Sequence, residues 1–435
     1  MLVASIAVVY LAYALLLPAF EGPDEPFHLS RALDLARGRF VEGWRAERLG
    51  DDVLEALRVF PCGPDLERVF GCPSFETVTG PAWGNLLKLP ATGPAIDTPR
   101  EPYPNYERQH PLFGYLIWSI PLHVVDRVTQ MEPAVARVAA AQLTVRLANL
   151  AILAIALLGP GRRLVAGWSS EARAVGLGGL LLPGAVETLA RGGLEALVFA
   201  WSLWFIEESL RSTPRTTRVL LLAALGPLTK LTAIPVVAFG VVAVWGRGRR
   251  APALGMAVAG GAVYLERLVR GFLAGGVLDL HAQYSTHDPG GAIEIARGIG
   301  WSLLVTAKSA LWLGGWSFFR PPLWGLVLIA AAAVLVLSQA RAAREAERDV
   351  RFAALAGALV ALAGHAVFSI AVYRVFGSWA VGGWYVWAWF PAAAIATQRM
   401  LDWRRPVRSW LLPAAGVALA TVDVAWWLAA DRLYG

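Results

Sequence analysis

Two adjacent carboxylates and a histidine follow the first apolar stretch of the chain, in the segment Glu21-Gly22-Pro23-Asp24-Glu25-Pro26-Phe27-His28. A carboxylate at the low dielectric of a membrane boundary holds a proton tightly, which suits Asp24 and Glu25 to general-base catalysis. The structural alternative is that Asp24 caps the following helix and Glu25 interacts with its dipole. These residues alone leave both interpretations open.

A second polar group lies in Tyr103-Pro104-Asn105-Tyr106-Glu107-Arg108-Gln109-His110-Pro111-Leu112-Phe113-Gly114-Tyr115. This segment could simply start a helix at a proline, with amphipathic residues at the membrane interface. The functional interpretation brings Glu107 and His110 close to Asp24.

Four charges lie inside apolar sequence: Glu187, Arg191 and Glu195 surround the pair Gly192-Gly193, and Lys230 follows. Charges within a membrane are costly and usually face a partner or a cavity. They could therefore form structural ion pairs. Alternatively, Arg191 and Lys230 could receive an anionic group such as phosphate.

Aromatic residues accompany glycine pairs later in the chain, at Trp312 to Trp316 and at Trp384-Tyr385. Most of the tryptophans are expected to form interface belts, although a few near Gly pairs could line a sugar or prenyl site. His281 and His287 are predicted to be solvated loop residues, and we predict no metal site.

The elements that must hold these residues are membrane helices. Of the 435 residues, 57% are apolar and only 16% charged, whereas soluble chains are about 25% charged. The apolar residues recur in stretches of about 20. This composition excludes soluble enzymes, disordered proteins and nucleic-acid binders. The first stretch, Leu2–Phe20, lacks a basic start and a cleavage site, so we expect a retained span.

Charge is distributed unevenly along the chain. Between Glu21 and Arg108 there are 15 acidic and 10 basic residues, as in a soluble segment. Elsewhere five arginine clusters separate the apolar stretches: Arg162/Arg163/Arg173, Arg211/Arg215/Arg218, Arg247/Arg249/Arg250, Arg341/Arg344/Arg348/Arg351 and Arg399/Arg404/Arg405/Arg408. The positive-inside rule places these clusters in the cytoplasm and the acidic loop outside.

We therefore predict an all-α multi-pass membrane protein with about eleven transmembrane helices. Their ranges are 2–20, 138–160, 174–190, 193–210, 217–230, 231–246, 252–272, 321–340, 352–374, 381–400 and 409–429. Three shorter amphipathic segments, Phe27–Arg37, Pro111–Val125 and Gly300–Phe318, are predicted to be re-entrant or interfacial.

The predicted organisation is a first span (1–20), an outer loop (21–137), helices (138–272), a second outer loop (273–320) and C-terminal helices (321–435). Cys62 and Cys72 both lie in the first loop. A cysteine pair in an extracytoplasmic loop favours a disulfide. The sequence contains neither a Walker loop nor a dinucleotide fingerprint.

The order of these motifs resembles a known family. Pro23-Asp24-Glu25-Pro26-Phe27-His28 resembles the PDEPxH signature of a bacterial family of multi-pass proteins, which is similar to the GT-C glycosyltransferases. That superfamily includes protein O-mannosyltransferases and lipid A aminoarabinose transferases. Weaker similarities follow in the family's order over roughly 15–390: Tyr106 to Tyr115, Gly192 to Leu197, Gly226 to Thr232, Leu311 to Trp316 and Gly382 to Tyr385.

This chain departs from the family's pattern at three positions. Trp384 stands where the family has an arginine, which makes Arg320 and Arg374 the predicted substitutes for binding phosphate. Glu195 replaces an aspartate, and Arg108 interrupts the second motif.

The resemblance implies an inverting, metal-independent sugar transfer from a polyprenyl-phosphate donor at the outer face of the bacterial plasma membrane, without a cofactor. Asp24 would be the general base, and Arg191 and Lys230 would stabilise the leaving phosphate. The acceptor would be a hydroxyl of an extracytoplasmic glycan, lipid or protein. The remaining implied contacts to sugar or acceptor are made by Glu25, His28, Glu107, His110, Glu195, Trp316 and Tyr385.

Two other functions compete with this one. One is a secondary transporter or flippase of a polyprenyl-linked or other anionic lipid, but we find no internal repeat of the kind such proteins often carry. A non-catalytic assembly subunit would predict that Asp24, Glu107 and Lys230 lie apart.

Overall fold

The fold is helical. A computed structural model of the protein describes residues 2–17, 19–20, 24–45, 48–58, 60, 105, 110–129, 134–273, 287–311, 327, 330, 334, 340–342, 348–377, 379, 387–403, 414, 417–422 and 424–425. Within these residues the only strands are β1 (Ala340–Ala342) and β2 (Leu401–Trp403), which pair antiparallel with Ala340 opposite Trp403.

The described residues of the N-terminal part form six helices: α1 (Leu2–Leu16), α2 (Glu25–Ala36), α3 (Phe40–Arg45), α4 (Asp51–Leu57), α5 (Phe113–Thr129) and α6 (Ala134–Ala156). Helix α6 continues through a π-helical turn, Leu157–Gly161, which contains Pro160. Helix α2 packs against α5, and its apolar side chains share a core with Trp118 of α5 and Val138 of α6.

Helix α2 differs from the interfacial helix predicted for Phe27–Arg37. Every residue from Glu25 to Ala36 is buried, including Glu25, His28 and Arg31. The apolar face lies in the core, and the polar face is covered by charged and aromatic partners from other helices. Amphipathic spacing alone does not distinguish these two environments.

The central part contains five short helices: α7 (Ser170–Gly179), α8 (Pro183–Ala190), α9 (Glu195–Ser209), α10 (Thr216–Thr229) and α11 (Ile234–Gly246). Local sequence explains where they begin and end. Ser169 caps α7 by accepting a hydrogen bond from the Ala172 backbone, and Pro183 starts α8. Between α8 and α9 the chain turns by 99° at Arg191 to Leu194.

The C-terminal part contains α12 (Arg250–Leu273), α13 (Ala292–Lys308), α14 (Arg348–Phe376) and α15 (Phe390–Met400). Helix α14 packs along α11, and Gly357 permits the contact because a side chain there would collide with Trp389 and with the Pro235 carbonyl.

Two helices among the described residues are long and apolar enough to cross a membrane, Ala134–Leu164 and Arg348–Arg374. The bent pair α8–α9 would make a third. These findings agree with a helical membrane protein, and they do not confirm eleven spans. The predicted spans 2–20, 217–230 and 231–246 correspond to helices of 15, 14 and 13 residues, shorter than the roughly 20 residues a full crossing needs.

Arginines from separate clusters gather at the C-terminal end of α9. Arg163 pairs with Glu207 at 2.7 Å, and Arg211 and Arg218 lie within 3.5 Å of Glu208. Arg247 donates to the Ser209 carbonyl. We call this the arginine-rich end; the functional candidates lie at the other end of α9.

Candidate functional site: a buried charged cluster

The break between α8 and α9 lies inside a group of buried charges contributed by distant parts of the chain. We call this group the charged cluster. Its members come from α2, α6, the α8–α9 break and the junction after α10: Asp24, Glu25, His28, Arg146, Glu187, Arg191, Glu195 and Lys230.

Arg191 is the centre of the cluster. Its guanidinium lies 3.3 Å from a carboxylate oxygen of Glu187 and 3.5 Å from Glu195 Oε1. Asp24 and Glu25 are also close enough to interact with its charge. One arginine thus connects the segment after the first helix with the residues around the break.

Lys230 joins the same group through Glu195. Its Nζ donates a hydrogen bond of 2.6 Å to Glu195 Oε1, the atom that also faces Arg191. The other oxygen, Glu195 Oε2, is buried and has no hydrogen-bond partner among the described residues.

Glu25 is held on all sides. Arg146 donates to both of its carboxylate oxygens, at 3.0 and 2.8 Å, and the Gly192 backbone N–H donates to Oε1 at 2.7 Å. Both Glu25 and Arg146 are fully buried. This geometry fits an anchor between α2, α6 and the break better than the predicted catalytic role.

Asp24 is placed differently from its neighbour. It is only partly buried, and its backbone is left-handed, with φ 67°. Asp24 stands at the N-cap position of α2 and Glu25 lies in the first turn, as the structural alternative predicts. The Asp24 carbonyl accepts from the His28 backbone N–H, whereas its side chain makes no capping hydrogen bond. Positive φ is uncommon and strained for a residue other than glycine, and such strain often occurs at functional sites.

A layer of aromatic and basic residues lies beside the cluster. His28 Nδ1 is 2.8 Å from the Tyr115 hydroxyl, and the His28 ring stacks on His110 with centroids 5.8 Å apart. Arg31 lies over the Tyr115 ring and donates to the His110 carbonyl at 2.7 Å. The predicted proximity of His110 to the Asp24 segment is therefore present in the fold.

Two residues, Gly114 and Asn149, hold α5 and α6 close to the α8–α9 break. Gly114 lets α5 approach closely, because a Cβ there would lie 2.6 Å from Leu194 and 3.1 Å from Thr229. Asn149 of α6 fixes the break by donating to the carbonyls of Arg191 and Gly193, while Trp118 donates to its side-chain oxygen.

Some predicted residues are not part of the cluster. Arg374 is exposed at the C-terminal end of α14, where its carbonyl accepts from His287, and it makes no contact with the cluster within the described ranges. Glu107, Trp316, Tyr385, Arg320, Cys62 and Cys72 lie outside the described residues. No group of three potential metal ligands occurs in the part of the chain that the structure describes.

Sequence reasoning missed several members of the site. Arg146 lies within a predicted span, where an isolated arginine is itself a sign of function. Gln142 is one helical turn earlier; its buried Nε2 has no partner in the described structure and lies beside Gly192. Arg31 and Asn149 carried no signal beyond being polar at buried positions.

Comparison with protein-family models, curated proteins and solved structures gives no match for this chain.

Proposed function

We propose that the protein is a membrane glycosyltransferase that transfers a sugar from a polyprenyl-phosphate donor to an acceptor hydroxyl. One observation carries this proposal. Asp24 and Lys230, far apart in sequence, belong to one buried charged cluster through Arg191 and Glu195. Three acidic and three basic side chains of the cluster are buried, and Asp24 is partly buried beside them. A subunit without chemistry has no need of such a group, since each buried charge costs desolvation free energy.

In the proposed reaction the Asp24 carboxylate accepts the proton of the acceptor hydroxyl. The hydroxyl oxygen then bonds to the anomeric carbon of the sugar, while the bond from that carbon to the phosphate oxygen breaks. The displacement inverts the anomeric configuration. Asp24 suits the role because it is partly exposed, whereas Glu25 is fully buried and paired with Arg146.

The leaving group is a polyprenyl phosphate whose negative charge grows as the bond breaks. Arg191 and Lys230 are the cations available to stabilise this charge. Both are paired with Glu195 Oε1 in the structure, so an arriving phosphate exchanges one anionic partner for another. Glu195 Oε2, which has no hydrogen-bond partner among the described residues, is the proposed acceptor for a sugar hydroxyl.

We further propose that the cluster faces the extracytoplasmic side of a bacterial plasma membrane. The arginine-rich end of α9 would lie in the cytoplasm, because cytoplasmic segments are enriched in arginine and lysine. In this arrangement the shorter helices α1, α10 and α11 contribute to a multi-pass fold of about eleven crossings.

The test is a reconstituted assay. Purified full-length protein in proteoliposomes is offered polyprenyl phosphates carrying a hexose, an amino sugar or a pentose, with peptide, glycan and lipid acceptors. Mass spectrometry follows the donor, the released polyprenyl phosphate and the product. We expect one donor to be consumed, and Asp24→Asn to lower the rate by about 10²–10⁴-fold.

The matched control is Glu207→Gln, which removes a carboxylate from the arginine-rich end. We expect this variant to transfer sugar at the wild-type rate. Transfer by folded Asp24→Asn protein at the wild-type rate would contradict the role of Asp24, and no consumption of any donor would contradict the proposal.

A second candidate, a lipid transporter, is supported by the broken helix. Half-helix ends beside buried charges are common at transporter binding sites, and α8 and α9 meet at such a break. Movement of a labelled polyprenyl-phosphate sugar across the bilayer, without any product, would favour this candidate.

A further inference from the structure

Two buried polar atoms beside the α8–α9 break make no hydrogen bond within the described residues. One is the amide nitrogen Nε2 of Gln142 on α6, and the other is the carboxylate oxygen Oε2 of Glu195 at the start of α9. Both residues are only 1% exposed. A buried polar atom without a partner destabilises a folded protein, so each of these two atoms needs an explanation.

The glycine pair at the break makes room for these two atoms. A Cβ on Gly192 would lie 2.6 Å from Gln142 Nε2, and a Cβ on Gly193 would collide with Glu195 Oε2. The donor and the acceptor therefore lie over two consecutive residues, whose Cα atoms are about 3.8 Å apart. Only residues without a side chain leave space for both.

The neighbours of Gln142 on α6 already have partners in the protein. Arg146 and Asn149 follow Gln142 by four and seven residues and so share its face of the helix. Arg146 holds Glu25, and Asn149 donates to two carbonyls of the break. Glu25 Oε1 lies 3.2 Å from the same Cβ position on Gly192, but it already accepts from Arg146 and from the Gly192 backbone. The described part of the fold thus leaves the Gln142 amide for a ligand.

A hydroxyl group is the ligand chemistry that suits both atoms. The Gln142 amide needs an acceptor and the Glu195 carboxylate needs a donor, and a hydroxyl supplies both. An ionised phosphate oxygen can only accept, so it would leave Glu195 Oε2 without a partner. An ammonium group can only donate, so it would leave Gln142 Nε2 without one. The pair therefore favours the hydroxyl-bearing part of a substrate over its phosphate.

We propose that Gln142 Nε2 and Glu195 Oε2 form the sugar subsite of the charged cluster. One sugar hydroxyl accepts a hydrogen bond from Gln142, and another donates one to Glu195, while Arg191 and Lys230 hold the phosphate. Gln142 is thus a sugar-binding residue that determines which sugar is held. This inference rests on the proposed function, which supplies the sugar and the acceptor Glu195, and it adds the donor that selects the sugar.

The test measures equilibrium binding to the purified full-length protein in nanodiscs, so it requires no turnover. The probes are a polyprenyl phosphate and the same lipid carrying a hexose, an amino sugar or a pentose. We expect the wild type to bind one sugar-bearing lipid more tightly than polyprenyl phosphate. Gln142→Met keeps the length of the side chain but has no N–H donor. It should lower that affinity about tenfold and leave the affinity for polyprenyl phosphate unchanged.

Two further measurements separate a sugar contact from a structural role of Gln142. Among single-deoxy forms of the preferred sugar, the form without the hydroxyl that meets Gln142 should bind to wild type and Gln142→Met equally. Gln142→Met also removes a buried donor that has no partner, so the ligand-free variant should melt at or above the wild-type Tm. Loss of a structural hydrogen bond would lower the Tm instead.

The control is Gln398→Met on α15, the same substitution outside the charged cluster. It should bind both kinds of lipid as the wild type does. The inference is overturned if Gln142→Met weakens both lipids equally, changes neither affinity or melts below the wild-type Tm. It is also overturned if no deoxy form removes the difference between the two proteins, or if no sugar-bearing lipid binds more tightly than polyprenyl phosphate. A sugar preference that depends on Gln142, in a protein that transfers no sugar, would contradict only the proposed transfer.

Discussion

The two ends of helix α9 both carry glutamates paired with arginines, but in different surroundings. At the N-terminal end Glu195, Arg191 and Lys230 are at most 4% exposed. At the C-terminal end the glutamates are nearly buried, whereas their partners Arg163, Arg211 and Arg218 are 36–55% exposed. The cations are desolvated at one end and hydrated at the other.

This difference between the two ends of α9 bears on what each end is proposed to do: bind substrate at the buried end and orient the protein in the membrane at the exposed end. A buried ion pair costs several kcal/mol of desolvation for each ion and is a poor source of stability. An exposed pair costs little and contributes about 0–1 kcal/mol. Exposed arginines suffice to orient a membrane protein, whereas the desolvation cost of the buried cluster supports the binding or catalytic role that we propose for it.

The largest stability effect should come from breaking the anchor of Glu25. Arg146→Gln leaves a fully buried carboxylate without its cation, and we expect the unfolding free energy in detergent to fall by about 3–5 kcal/mol. Arg163→Gln, at the hydrated end, should lower it by about 0–1 kcal/mol. Equal losses from the two variants would remove the distinction between the ends.

A smaller effect should appear in the interaction energy between the two members of an ion pair at each end of α9. A double-mutant cycle of Glu195→Gln and Lys230→Met should give an interaction energy of about 2 kcal/mol. The corresponding cycle of Glu208→Gln and Arg218→Gln should give less than about 1 kcal/mol. If the second coupling is the larger, burial does not govern the strength of these pairs.

The smallest effect concerns the layer beside the cluster. Tyr115→Phe removes the hydroxyl that meets His28 and should cost about 1 kcal/mol of unfolding free energy. Tyr373→Phe, whose ring packs on Trp379, should change it by less than about 0.5 kcal/mol. An equal loss of unfolding free energy in both variants would contradict a stabilising hydrogen bond between His28 and Tyr115.

The site could be predicted from sequence more fully than the helices. Charges are so scarce in apolar sequence that Arg191, Glu195 and Lys230 were recognisable individually, and the fold does bring them together. Arg146 was missed because it lies within the predicted span 138–160, where it was treated as part of an apolar helix. The contacts of Glu25 could not be predicted, because its partners lie on α6 and at the break, which no local pattern reveals.

The helix count was harder to predict for a physical reason. Hydropathy averages over a window, so the predicted span 174–190 passes across the interruption at Pro183. The prediction does separate 174–190 from 193–210 at Gly192-Gly193, but hydropathy does not register the 99° bend there. Similarly, the amphipathic pattern of α2 predicted an interface, whereas tertiary contacts bury both faces. The periodicity of a helix sequence shows which face is apolar, but it does not show which other parts of the chain pack against each face.

The most direct test of the central claim, that the buried end of α9 receives a lipid phosphate, is the affinity of the purified protein for polyprenyl phosphate. We predict that Lys230→Gln weakens this binding at least about tenfold, because it removes a charge-assisted contact. Lys230→Arg, which keeps the charge, should retain most of the affinity, and Arg218→Gln at the hydrated end should bind as the wild type does. Equal binding by wild type and Lys230→Gln, or an equal loss in Arg218→Gln, would contradict the claim.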